Sequence, residues 1–126
     1  MATTRIFKFD DVPVRHTANG AILRALIDRE TCGSRLKTGT VTFPAGHAVE
    51  IHRHNCNEMI VVLSGRCAVE LEGVRTELKP FDTVSVAAGQ WHRFLNTGDE
   101  PFTILAVYDA EIVERTFQAT GKTVRD

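Results

Sequence analysis

Three good metal-ligand residues lie within seven positions of one another: His52, His54 and Glu58, in the stretch GHAVEIHRHNCNEMIVVLSG spanning residues 46–65. Imidazole nitrogen and carboxylate oxygen are borderline donors that suit a divalent transition metal. In an extended segment successive side chains alternate faces, so His52 and His54 share one face while Ile51 and Arg53 take the other. Glu58 opens the next apolar run after the short connection Asn55-Cys56-Asn57, and an antiparallel hairpin brings it back beside the histidines. A fourth candidate, His92, starts the later run HRFLN. The expectation is that His52, His54, Glu58 and His92 converge on one divalent ion, with Fe, Mn, Ni, Co and Zn all compatible. On a six-coordinate ion four protein ligands leave two adjacent positions for water, substrate or dioxygen, the basis of Lewis-acid or oxygen-activating chemistry.

Such convergence needs strands, and the chain is punctuated for them. Short runs rich in Val, Ile, Thr and Phe recur at 21–27, 36–43, 48–54, 58–63, 66–71, 74–78, 83–87, 92–96 and 102–108. Turn signals part them: NG at 19–20, PAG at 44–46, SG at 64–65, EG at 72–73, AG at 88–89 and TGDEP at 97–101. Evenly spaced short strands of this kind predict an antiparallel sandwich or barrel. A helical turn is expected only in the tail, around AEIVERTF (110–117), with 113–117 packing outside the barrel.

Composition narrows the function classes. The chain has 126 residues, 43% hydrophobic and 25% charged, which predicts one soluble domain over 1–126 with a barrel core at about 36–108. Fifteen basic against 16 acidic residues leave a net charge of -1, without the basic stripe that nucleic-acid binding requires. No apolar run reaches membrane-spanning length. Cys32, Cys56 and Cys67 form an odd set without CxxC spacing, so free thiols and a cytoplasmic location are expected.

The residues in order also resemble a cupin. Gly46, His52, His54, Glu58 and Gly65 follow the family's first motif, G-x5-HxH-x3or4-E-x6-G, throughout. Gly89, His92 and Asn96 follow the second, G-x5-P-x-G-x2-H-x3-N, with Phe81 in place of its first Gly and Ala87 in place of its Pro. The resemblance implies an all-β, antiparallel jelly-roll β-barrel and the same four metal ligands. It also implies a range of activities (dioxygenases, isomerases, decarboxylases and lyases) beside members that bind sugars or effectors without known catalysis.

Other residues receive plainer roles. Cys56 lies between two ligands but needs a depressed pKa to serve as a thiolate, and is taken as a bystander. His16 and His47 are expected to face solvent, Arg53 and Arg93 to point away from the metal, and Trp91 and Phe94 to be core or pocket wall. Phe43 and Tyr108 are candidate cavity linings. Two functional readings stand. One is a small metal-dependent enzyme acting on an organic acid, dicarbonyl compound or sugar derivative; the other is a metal-bearing binding or sensor module. A homodimer is expected, because a barrel this short has edge strands to protect, with RIFKF (5–9) and VERTF (113–117) at the two-fold interface. Light scattering should therefore give twice the chain mass at micromolar concentration, and a monomer mass would remove the idea.

Overall fold

The computed structural model describes residues 2–17 and 20–126; Asn19, the first residue of the expected 19–20 turn, lies outside them. Two antiparallel sheets hold the described strands. One runs β1 (Arg15–His16), β2 (Ile22–Ala25), β3 (Lys37–Phe43), β10 (Phe102–Tyr108), β5 (Glu58–Ser64), β8 (Thr83–Val86). The other runs β12 (Thr123–Arg125), β11 (Glu114–Phe117), β4 (His52–His54), β9 (His92–Leu95), β6 (Cys67–Leu71), β7 (Val74–Leu78). Neighbours in each sheet are mostly distant in sequence, as when β10 inserts between β3 and β5. This is the expected all-β jelly roll.

Period-two alternation decides what lies between the sheets. In β5, Ile60 and Val62 point inward and are fully buried, while Met59 and Leu63 face out. In β10, Phe102, Ile104 and Ala106 point inward. These meet Cys67, Val69 and Phe94 from the opposite sheet to form one core, where each large aliphatic or aromatic side chain contributes about 1.5–3 kcal/mol by leaving water. Phe43 belongs to this core and stacks on Phe102 at a centroid distance of 4.8 Å. It sits at the end of the β3–β10 pair away from Tyr108, because the register matches Phe43 with Phe102 and Lys37 with Tyr108.

Two local expectations are corrected. The short helix is not in the tail but at Arg29–Cys32, where Asp28 and Thr31 form a reciprocal cap. The tail segment 114–117 is instead β11, and it is not outside the sheets: it lies between β12 and β4, with Val113 fully buried. Alternation of Val113, Arg115 and Phe117 suits a strand whose inner face is covered. The predicted strand over 48–54 shortens to His52–His54, with Ala48 making only an isolated bridge to Leu95.

Asn96 works as expected at a strand end. Its amide nitrogen donates to the carbonyls of Phe43, Pro44 and Glu100, which pins two loops together. Phe81, in the place of a motif glycine, has φ of 71° and is 78% exposed. A side chain in the left-handed region costs about 1–2 kcal/mol, and an exposed ring recovers little of that by burial. Phe81→Gly should therefore stabilise the fold by about 1 kcal/mol, net of the added freedom of the unfolded chain. Chemical denaturation checks this, and a loss of stability would mean that the ring makes contacts that matter.

Candidate metal centre

β4 points His52 and His54 inward, each 5% exposed, and Arg53 outward. His52 is the direct cross-strand partner of His92 on β9, so the two imidazoles share a face, with ring centroids 4.3 Å apart. Glu58 opens β5 on the facing sheet and is 6% exposed. The connection that carries it there is bolted at both ends. Asn57 exchanges hydrogen bonds with the Asp109 side chain, and the Asn55 amide nitrogen donates to the Ile112 carbonyl while its side-chain oxygen accepts from the Glu114 amide. The Gly89 amide donates to the His54 carbonyl, which ties the His92 loop to β4. All four sequence candidates are thus brought together.

Their hydrogen bonds define which nitrogen faces in. His52 Nδ1 lies 2.7 Å from the Glu50 carbonyl, His92 Nδ1 lies 2.9 Å from the Gln90 carbonyl, and His54 Nδ1 lies 3.1 Å from the Glu114 carbonyl. A carbonyl only accepts, so each Nδ1 carries the proton, and in the neutral ring the lone pair is on Nε2. The ligand atoms of the three histidines lie within 4.8 Å of one another. Glu58 Oε1 stands 3.3 Å from His92 Nε2 and 3.6 Å from His54 Nε2. All three of these atoms are buried and have no hydrogen-bond partner. Acceptors facing acceptors at such distances repel unless a cation lies among them. The histidine cluster could therefore hold a divalent metal, and its backbone-anchored imidazoles are in the state that ligation requires.

Burial, then the nearby His92, pushes the His52 pKa down from 6.5 to about 3; burial also lowers that of His54. Tyr108 is beside them, its ring 5.0 Å from that of His54, and its hydroxyl hydrogen-bonds to the Glu58 carboxylate. Burial, the Glu58 charge and that bond push the Tyr108 pKa up, so the hydroxyl keeps its proton and donates. The cavity-lining expectation holds for Tyr108 and not for Phe43.

Cys56 is buried, and burial together with Asp109 and Glu58 raises its thiol to about 11, which disfavours a thiolate. Arg53 stacks over Trp91 at 4.5 Å and Arg93 forms a two-pronged bond to Glu70, both away from the cluster. Trp91 is accordingly a residue of the outer face, where it lines a cavity of about 300 Å³ with Ile51, Glu70, Glu72 and Gln118. The carboxylates there are already engaged, Glu70 by Arg93 and Glu72 by the Trp91 amide. His16 is exposed as expected, but His47 is not solvent-facing: both ring nitrogens are buried and the ring packs 5.1 Å from that of Phe43.

Arg115 and Asp126 went unnoticed in the sequence. Arg115 is the direct cross-strand partner of His54, so it shares the inner face, and its Nη2 lies 3.1 Å from Asp126 Oδ2. Asp126 Oδ2 is in turn 3.9 Å from His54 Nδ1. The available signal was the alternation Val113-Arg115-Phe117, which places the arginine among inward positions.

A jelly roll with an inward histidine cluster is the class that the fold and the site define. The chain belongs to the cupin family: the model of the Cupin domain matches residues 39–108. It is 33% identical to Protein SchB of Streptomyces halstedii over 97 residues, 75% of this chain and 70% of that protein. In structure it is similar to a sugar phosphate isomerase of the cupin superfamily from Silicibacter pomeroyi (TM-score 0.76, 18% identity, 97% of this chain and 93% of that one). A predicted oxalate decarboxylase from Thermotoga maritima matches with a TM-score of 0.77 at 20% identity, over 82% of this chain and 97% of that one. Among the described residues, no helix is long and apolar enough to cross a membrane.

The depressed His52 pKa sets a pH dependence. Between 6.5 and about 3 the unfolded chain binds a proton that the folded chain refuses, so stability is full above that window and declines as pH falls through it. Metal-free protein should show a lower urea midpoint at pH about 5 than at pH about 7.5, and His52→Gln should flatten the difference. A slope as steep in the variant as in the parent would assign the acid sensitivity elsewhere.

Proposed function

We propose that this cupin is a small metalloenzyme in which His52, His54, Glu58 and His92 hold one divalent ion, Fe, Mn, Ni, Co or Zn, and that it acts on a small organic acid, dicarbonyl compound or sugar derivative. The observation that carries the reading is the set of buried, unpartnered acceptors, Nε2 of His54 and of His92 with Oε1 of Glu58, aimed at one another. A bound ion supplies Lewis acidity or oxygen activation at that point. The chain supplies the rest. Carbonyls of Glu50, Gln90 and Glu114 fix the imidazole tautomers, the Tyr108 hydroxyl holds the carboxylate in place, and the surrounding core keeps bulk water out.

The solved relatives support an enzyme without selecting a reaction, since one is described as a sugar phosphate isomerase and the other as a predicted oxalate decarboxylase. A shared fold serves both, so the reading rests on the donor set.

Protein purified without chelators or an affinity tag should carry about one divalent ion per chain by elemental analysis, with affinity falling as pH drops below about 6.5. His52→Ala and His92→Ala should lose at least about tenfold in affinity, whereas Cys56→Ala keeps full occupancy. Retention of metal by the histidine variants together with its loss in Cys56→Ala would overturn the assignment. Oxygen-uptake and substrate-loss screens of the loaded protein then separate catalysis from binding, since a binding module turns none of these compounds over.

A further inference from the structure

The inner face at the Tyr108 end of the molecule carries cations that the four-residue cluster does not use. Arg115 faces inward opposite His54, and Lys37 faces inward opposite Tyr108, each by direct cross-strand pairing. Both converge on one residue. Arg115 Nη2 donates to the Asp126 carboxylate at 3.1 Å, and Lys37 Nζ donates to the Asp126 main-chain oxygen at 2.7 Å. The guanidinium is only partly used, because Arg115 Nε is buried and has no acceptor. Its charge nevertheless reaches the cluster, where it is among the causes that lower the His52 pKa.

A planar guanidinium with one arm on a carboxylate and a second donor idle is half of a two-pronged oxyanion site. Within a structure whose buried donors are otherwise matched, an idle N–H beside a ligand cluster marks the place of an absent acceptor. We propose that Arg115 is the carboxylate subsite of this centre: it takes the acid group of a small organic acid whose other oxygens reach the four-residue cluster, and Asp126 fills that subsite in the free protein. The inference rests on the metal reading given above and names its substrate class. Asp126 is the model for the ligand, a carboxylate already seated on the same guanidinium. Entry of an acid exchanges one carboxylate for another on Arg115, and Lys37 remains beside it as a second cation.

A purely structural role is the competing account, with Arg115–Asp126 simply bracing β11 against the segment that follows β12. The two differ in what Asp126 does to a ligand. As an occupant it competes, so its neutralisation tightens acid binding; as a brace its loss loosens the site.

The test uses the full chain loaded with Co(II), whose visible absorption reports the coordination sphere, titrated with oxalate, malonate and imidazole. Imidazole is uncharged and offers no carboxylate. Arg115→Ala should weaken at least one of the two dicarboxylates about 10- to 100-fold while leaving Co(II) stoichiometry and imidazole affinity intact. Arg115→Lys, which keeps the charge and loses the fork, should fall between. Asp126→Asn, with Arg115 untouched, should tighten dicarboxylate binding several-fold. Unchanged affinity for both acids in Arg115→Ala, or weakening in Asp126→Asn as large as in Arg115→Ala, would overturn the proposal while the metal reading stands. Failure of the parent protein to take up Co(II) would instead overturn the metal reading and the subsite with it.

Discussion

Acceptor atoms pressed together without a hydrogen between them are the constraint around which this molecule is organised. Nε2 of His54, Nε2 of His92 and Oε1 of Glu58 are buried and unpartnered, and each such group costs free energy in a low-dielectric interior. What holds them there is the strand on which each sits. The alternation that sends Ile60 and Val62 into the core also sends Glu58 inward, two and four residues earlier on the same face. A slip of one residue in β5 would free Glu58 and expose both aliphatic side chains, so hydrophobic burial opposes relief of the polar strain. The same holds in β9, where Phe94 anchors the face on which His92 stands. Apolar packing thus stabilises an arrangement that the polar groups alone would abandon.

The imidazole anchors divide into local and distant ones. His52 and His92 each use the carbonyl two residues earlier, that of Glu50 and of Gln90, so their ring orientation is set as soon as the strand forms. His54 uses the carbonyl of Glu114, 60 residues away on β11. Its orientation exists only once β11 has docked against β4. The hairpin of β11 and β12 therefore belongs to the site physically although it lies outside the strands that carry the four candidates, and it brings Arg115 and Asp126 with it.

That division explains what could be read from the sequence. The strands β3 and β10 match runs that alternate cleanly between turn signals, and the HxH spacing with Glu58 and His92 predicts a convergence that the coordinates contain. These features depend on period two and on neighbours a few residues apart. The reading failed where long-range pairing decides. Residues 110–117 look compatible with a helical turn in isolation, and only the covered inner face of β11 against β4 makes a strand the better solution. The helix at Arg29–Cys32 escaped notice because its cap uses Asp28 with Thr31, not the commoner Ser or Thr with Glu. His47 was placed in solvent because its ring nitrogens are polar, yet packing against Phe43 buries them. Phe81 was legible as a departure at a turn, but its left-handed backbone shows only in the coordinates.

The β3–β10 pair gives the interior a direction. At one end Phe43 stacks on Phe102, Asn96 pins the loops, and no charged side chain enters the core cluster. At the other end the same two strands finish on Lys37 and Tyr108, where the acceptor cluster, Arg115 and Asp126 gather. Stability and chemistry are therefore separated along a single strand pair. The apolar end supplies the burial that holds the register, and the register delivers each polar group to the opposite end. A charged ligand moving inward from that end would meet fixed cations before it reached the apolar residues, so the gradient favours anions and stops them at the cluster.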